Sequence, residues 1–258
     1  MKKRIGFVLT VLIAFLVGLG FNPRISIAQN IGNFISFISV ESSSNIPYQI
    51  AEKDMKSEDK YIKIDVKIPQ IQALENKDLQ EFINKDIYDS VNKNIEIYKK
   101  ASKKSQETFA NEKLKPYEYN VSYELKPNDK KIISIIVKQY SYTGGAHGMT
   151  DYSIYNYDIN TGKEVTLKSI FKDESYKEEL NKLLRRQMEE RTKEYIKEEN
   201  IDDQNYQLFT FEGISDKQRF YIEGNDLVLF FGAYEIAPYS FGSSTFKIPM
   251  TSLEKYLK

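Results

Sequence analysis

Residues 117–137 read YEYNVSYELKPNDKKIISIIV and decide the fold class. In residues 117–125 aromatic and aliphatic side chains alternate with polar ones, which is the period of a half-buried β-strand. The Pro-Asn-Asp triplet at 127–129 then supplies a turn. Residues 132–137 are apolar on both faces, as expected for a central strand that is covered on both sides. The stretch therefore predicts an antiparallel hairpin, which a further strand at 152–159 extends into a meander.

The segment before this hairpin predicts a strand followed by a long helix. In residues 61–68 isoleucine or valine stands at every second position, which indicates a strand that ends at Pro69. Residues 77–105 carry apolar side chains at spacings of three and four, which predicts a helix with one stripe against a sheet.

The segment after the meander repeats this mixture of patterns. Asn160-Thr161-Gly162 predicts a turn that leads into a strand at 164–167, and Thr251 with Glu254 predicts a capping box that opens a short closing helix. The remaining predictions are a helix at 173–197, a tight hairpin of strands 220–223 and 227–231 joined through Gly224, and a last strand at 245–249.

These elements predict an α+β fold, with antiparallel sheets and two longer helices packed on them. The order of elements suggests two related α+β halves, residues 47–160 and 161–258. No linker rich in glycine, proline or serine separates them, so we expect one compact unit with its seam near Gly162.

Residues 1–28 have the order of a secretory signal peptide. Three basic residues precede an apolar run from Ile5 to Phe21, and small residues occupy positions 26 and 28. We expect cleavage after Ala28, a tether at 29–46 and a location outside the cell or in its envelope. The alternative is an uncleaved anchor, which would be the only contact with the membrane.

The composition excludes several classes of site. The chain has no cysteine and one histidine, His147, so disulfides, thiolate chemistry and a multi-histidine zinc site are excluded. Basic and acidic residues balance at 37 each, and removal of the basic signal leaves a mildly acidic remainder. We therefore expect no nucleic-acid partner, no metal and no cofactor.

The first unusual motif is YTGGAHG, which spans Tyr142 to Gly148. Its glycines (Gly144, Gly145 and Gly148) permit backbone angles that are closed to other residues and let a ligand approach closely. His147 lies among them, and successive amides in such a turn can bind an anion. The alternative is a wide bulge or hairpin, in which His147 bonds a neighbouring carbonyl group.

The second motif is YEIAPYSFG at residues 234–242. Pro238 fixes a bend, while Tyr239 and Phe241 add aromatic surface of the kind that anchors binding partners. Glu235 adds a charge. The alternative is a packed loop that closes one end of a sheet.

Enzymatic readings have little support in the residues. A serine triad would have to use His147, and the chain has no G-x-S-x-G elbow. A carboxylate pair such as Asp151 with Glu235 could hydrolyse a glycan. A hydrolase or transferase that acts on cell-wall glycans, with carboxylates and His147 as acid and base, therefore remains the alternative function.

The two motifs together resemble a bacterial envelope family. Its members are the lysozyme-sensing ectodomain of the anti-sigma-V factor and a similar non-catalytic region before the catalytic domain of some peptidoglycan deacetylases. YTGGAHG, the turn at Asn160–Gly162, YEIAPYSFG and the FKIP segment at 246–249 carry the resemblance, in the family's order from about Pro47 to Leu257.

The resemblance implies an α+β pair of domains of unknown function that binds lysozyme in the anti-sigma member. Only four residues precede the apolar segment, and the chain ends after the resembling region, so we expect neither a sigma-factor-binding domain nor a deacetylase domain. We expect a non-catalytic binding module whose partner is a lysozyme-like muramidase or peptidoglycan. A structural domain that packs on another envelope protein is a third possibility.

The contacts are expected in the two motifs, because loops at strand ends usually carry function. The predicted partner-binding residues are Tyr142, Gly144, Gly145, His147, Gly148, Glu235, Pro238 and Tyr239.

Overall fold

A computed structural model describes residues 47–128, 131–203 and 205–258. The predicted signal peptide and tether lie outside these residues. Within them, no helix combines the length and the apolar character that a bilayer span requires. The described elements form two sheets, two long helices and several short helical segments, which confirms the α+β class.

The larger sheet has five strands in sequential order. The strands are β1 (Gln49–Glu58), β2 (Ile62–Gln72), β3 (Tyr117–Lys126), β4 (Ile132–Tyr142) and β5 (Met149–Asp158). Strands β3 to β5 form the predicted antiparallel meander. The β2–β3 pair is parallel, because a long helix connects the two strands and returns the chain to the same end of the sheet.

Helix α1 (Lys77–Thr108) covers one face of the large sheet. The Asn76 side chain accepts a hydrogen bond from the backbone N–H of Leu79, which caps the first turn. The predicted stripe is buried against the large sheet, chiefly against β2 and β3; its members are Leu79, Ile83, Ile87, Val91 and Ile95. A polar contact fixes the register of this interface, because Gln139 accepts hydrogen bonds from Asn94 and from the hydroxyl group of Tyr119.

The smaller sheet has three antiparallel strands, β6 (Phe220–Glu223), β7 (Asp226–Phe231) and β8 (Ser244–Pro249). Between them and β5 lie the short helix α2 (Leu167–Ile170) and the long helix α3 (Tyr176–Glu198). Leu180, Leu184 and Met188 of α3 are buried against one face of this sheet. Gln187 and Arg191 donate to backbone carbonyl groups of β8, so α3 also protects the outer edge of the sheet.

The two sheets pack against each other through the faces that the helices do not cover. Ile136 of β4 contacts Tyr221, Val228 and Phe230 there. Next to this cluster lies a polar clasp, defined as Ser134, Asn156 and the backbone of β6. Asn156 donates to the carbonyl group of Phe220 at 2.8 Å, and the hydroxyl of Ser134 accepts from the N–H of Ile222 at 3.2 Å. The layers are therefore α1, large sheet, small sheet and α3.

Several local predictions were wrong for identifiable reasons. Strand β2 continues through Pro69 to Gln72, because its pairing with β3 stops at Val66 and the Asn84 side chain bonds the backbone of Ile71 instead. The predicted capping box does not form: a 3₁₀ helix, Met250–Tyr256, follows Pro249 without a side-chain cap. Strand β1 was missed.

Candidate functional site

The two sequence motifs meet in space. The loop between β4 and β5, residues 143–148 (the glycine loop), lies against the loop between β7 and β8, residues 232–243 (the β7–β8 loop). The hydroxyl group of Tyr239 donates to the carbonyl oxygen of Gly148 at 3.1 Å. The Tyr239 ring also stacks on His147, with ring centroids 4.5 Å apart and planes 22° from parallel. One surface therefore contains residues from both halves of the chain.

The glycine loop is exposed and depends on its glycines. Gly144 and Gly145 have φ values of 95° and 91°, which an L-residue adopts only at a cost. A Cβ atom at either position would meet no other atom within 4 Å, so the loop projects into open space. The hydroxyl of Tyr142 donates to the carbonyl oxygen of Gly145 at 3.1 Å and ties the loop back to the end of β4.

Gly148 is required for close packing. It is buried, and a Cβ atom there would lie 2.5 Å from the Tyr140 ring. Its carbonyl oxygen accepts the Tyr239 bond and also lies 3.0 Å from Nδ1 of His147. The contact of His147 with a neighbouring carbonyl group is the one that the structural alternative predicted, but the ring also forms part of the exposed surface.

The His147–Tyr239 pair extends into a stack of three rings. The Tyr234 ring stacks on Tyr239, with ring centroids 5.2 Å apart and an interplanar angle of 27°. We call His147, Tyr239 and Tyr234 the aromatic stack. Tyr234 is 60% exposed, and the prediction of contact residues missed it.

Glu235 has a positioning role in this structure. One carboxylate oxygen accepts from the backbone N–H of Gly232 at 2.7 Å, and the other accepts from Arg219 at 2.6 Å. Arg219 also donates to the carbonyl oxygen of Tyr152 on β5 at 3.1 Å. Arg219 was not predicted, yet it joins the β7–β8 loop to the large sheet.

Pro238 places the aromatic residues that follow it. With φ −57° it stands before a 3₁₀ turn at Tyr239–Phe241, and Gly242 ends that turn with φ 62°. The Phe241 ring packs edge-on against Tyr195 of α3 at 5.0 Å. The segment thus turns Tyr239 towards the glycine loop and Phe241 towards the helix.

The described residues contain no group of three histidine, aspartate or glutamate side chains that could hold a metal ion. Both oxygens of Glu235 already accept hydrogen bonds, so this carboxylate is poorly placed to transfer a proton. The surface presents the rings of the aromatic stack and the protruding glycine loop.

Comparisons with known proteins agree with this arrangement. The family model "Deacetylase PdaC" matches residues 55–150, and the model "Protein of unknown function (DUF3298)" matches residues 168–251. The glycine loop lies in the first region and the β7–β8 loop in the second.

Two curated relatives come from Bacillus subtilis (strain 168). The chain is 28% identical to the anti-sigma-V factor RsiV over 88% of its own length and 71% of that protein. It is 27% identical to the peptidoglycan-N-acetylmuramic acid deacetylase PdaC over 55% of its own length, but it spans only 29% of that enzyme.

Two solved structures of DUF3298 family proteins share the fold. One, from Bacteroides fragilis NCTC 9343, aligns with a TM-score of 0.60 and 16% identity over 84% of this chain and 96% of its own. The other, from Pseudomonas aeruginosa PAO1, aligns with a TM-score of 0.54 and 18% identity over 83% of this chain and 95% of its own. The chain therefore combines a region that matches the PdaC model with a region that matches the DUF3298 model, and over most of its length it is similar to an anti-sigma-V factor.

Proposed function

We propose that this protein is an exported, non-catalytic binding module whose partner is a lysozyme-like muramidase. The observation that carries the proposal is the meeting of the glycine loop and the aromatic stack on one exposed surface. The similarity to an anti-sigma-V factor over 88% of the chain supports it, because the resemblance that the motifs indicated is to the lysozyme-sensing part of such a factor.

The form of the surface favours a protein partner over a small ligand. Gly144 and Gly145 project with open space around them, and the tyrosine rings present flat, amphipathic area. Tyrosine supplies large rigid contacts at a low cost in conformational entropy, which is why protein-binding surfaces are rich in it. The adjacent glycines Gly144 and Gly145 carry no side chains, so this part of the loop can approach a concave surface on a partner closely.

Peptidoglycan is the other partner that the family implies. One of the two curated relatives is a peptidoglycan-N-acetylmuramic acid deacetylase. That activity belongs to the whole enzyme, of which this chain spans 29%. Binding of a wall fragment to this chain would be a distinct outcome of the experiment below.

The direct test is titration calorimetry of the exported form of the protein, first with lysozyme and then with soluble peptidoglycan fragments. We expect saturable heat with lysozyme. Heat with peptidoglycan fragments alone would show that the module binds glycan and not lysozyme. No heat with either partner would contradict the proposal.

A matched pair of variants ties the binding to the glycine loop. Gly145→Leu and Gly224→Leu both place a side chain on a left-handed backbone with nothing within 4 Å, but Gly224 lies in the β6–β7 turn. We expect Gly145→Leu alone to weaken binding, while both keep the circular dichroism of the wild type. Equal binding by the two variants would exclude a contact role for the loop.

A further inference from the structure

The backbone at Tyr234 is unfavourable for a tyrosine. The N–H of Glu235 donates to the carbonyl oxygen of Gly232, which closes a four-residue turn with Tyr234 at its third position. There Tyr234 has φ 68°, a value that type II turns require and that glycine or asparagine normally supplies. Among the described residues with positive φ, it is the only aromatic one.

A specific clamp holds this turn in place. The carboxylate of Glu235 bonds the N–H of Gly232 across the turn, and Arg219 fixes the same carboxylate while it bonds the carbonyl group of Tyr152. The turn is therefore bound both to itself and to strand β5. Residues in sparsely populated backbone regions persist only where such surroundings determine them, and they cluster at functional sites.

Packing within the protein does not account for the tyrosine at this position. Its ring contacts Tyr239 in the aromatic stack, yet the residue is 60% exposed, more than any other large hydrophobic residue in the described part of the chain. A glycine here would relieve the backbone and expose less apolar surface. The ion pair with Arg219 also compensates the charge of Glu235, the residue that follows Tyr234.

We propose that Tyr234 is the anchor residue of the binding surface and that its ring enters an uncharged pocket on the protein partner. The clamp formed by Arg219 and Glu235 presents the ring in its bound orientation before the partner arrives, which reduces the entropy that binding costs. This inference rests on the proposed function, because it names the residue through which that surface recognises its protein partner.

The test compares Tyr234→Gly with Phe109→Ala by lysozyme calorimetry and thermal unfolding of the exported protein. Phe109 is a matched control because it is also an exposed aromatic residue, at the end of α1, 48% accessible and outside both loops. We expect Tyr234→Gly to weaken binding about 30-fold or more, the effect of a hot-spot residue, with an unfolding midpoint no lower than that of the wild type. Phe109→Ala should bind as the wild type does.

The outcomes separate this inference from the proposed function. A wild-type protein that does not bind lysozyme refutes the proposed function and this inference with it. If the wild type binds lysozyme and Tyr234→Gly binds equally well, the proposed function is retained but Tyr234 is not the anchor residue. A parallel loss of binding and of thermal stability would make the ring structural, which also overturns the inference.

Discussion

The polar clasp between the sheets predicts a large loss of stability on substitution of Asn156. This side chain is 5% exposed, and it accepts from the hydroxyl of Ser134 at 2.7 Å while it donates to the carbonyl group of Phe220 at 2.8 Å. Asn156→Ala leaves both of these groups buried without that partner. Each such group costs about 1–3 kcal/mol, so we expect the free energy of unfolding to fall by about 3 kcal/mol.

Ser134→Ala provides the matched measurement. It removes the hydroxyl that accepts from the N–H of Ile222 and donates to Asn156, so it should also destabilise the protein, by about 2 kcal/mol. In the double variant both partners of the Ser134–Asn156 hydrogen bond are absent, so neither is left buried without the other. The two losses should therefore fall short of their sum by about 1 kcal/mol or more.

Urea unfolding monitored by circular dichroism measures all four proteins of this cycle. The slope of the free energy against urea should stay constant, because both sheets unfold together. A loss below about 1 kcal/mol for Asn156→Ala, or additivity within about 0.5 kcal/mol, would refute the reasoning. A second transition would show that the two halves unfold separately.

Two further predictions concern the loop clamp and the buried tyrosines. Arg219→Met removes the bond to Glu235 but keeps the apolar stem of the side chain. Since that ion pair is partly exposed, we expect a destabilisation of only about 1 kcal/mol in urea unfolding, together with weaker lysozyme binding. Unchanged lysozyme binding would contradict the positioning role of Arg219. Burial raises the pKa of Tyr119 and of Tyr157, and the hydroxyl of Tyr157 also bonds Asp86. The contribution of these tyrosines to stability is therefore complete below the pKa of a tyrosine in the unfolded chain, about 10, and is lost as the pH rises above that value. Urea midpoints at pH 8 and pH 11 should differ by less in Tyr157→Phe than in the wild type, and an equal difference would count against this account.

Periodicity predicted the elements that have one buried face. Helix α1 and strand β3 were recognisable because one side of each packs against another layer, whereas β4 was recognisable because it is apolar on both faces. Strand β1 lacked this signal: it is an edge strand with charged residues at half of its positions, and Ala51 is its only buried residue. Its pairing with β2 rests on backbone hydrogen bonds, which leave little trace in the sequence.

The sequence identified both loops of the candidate site but not the residues that hold them. Glycine and proline mark the loops because those residue types are needed for the backbone angles. Arg219 carries no such signal, since an arginine before a short strand is ordinary on a protein surface. Tyr234 was hidden for the opposite reason, because a left-handed backbone is not expected of a tyrosine.

The candidate site lies where the two family regions meet. The carbonyl group of Gly148 belongs to the PdaC-type region, and the hydroxyl of Tyr239 that bonds it belongs to the DUF3298 region. Arg219 of the DUF3298 region also bonds Tyr152, which lies on β5 between the two matched regions. Neither region alone can form the His147–Tyr239 stack, so the proposed binding surface depends on the packing of one sheet against the other. Substitutions in the clasp at Asn156 should therefore change this surface although they lie away from it.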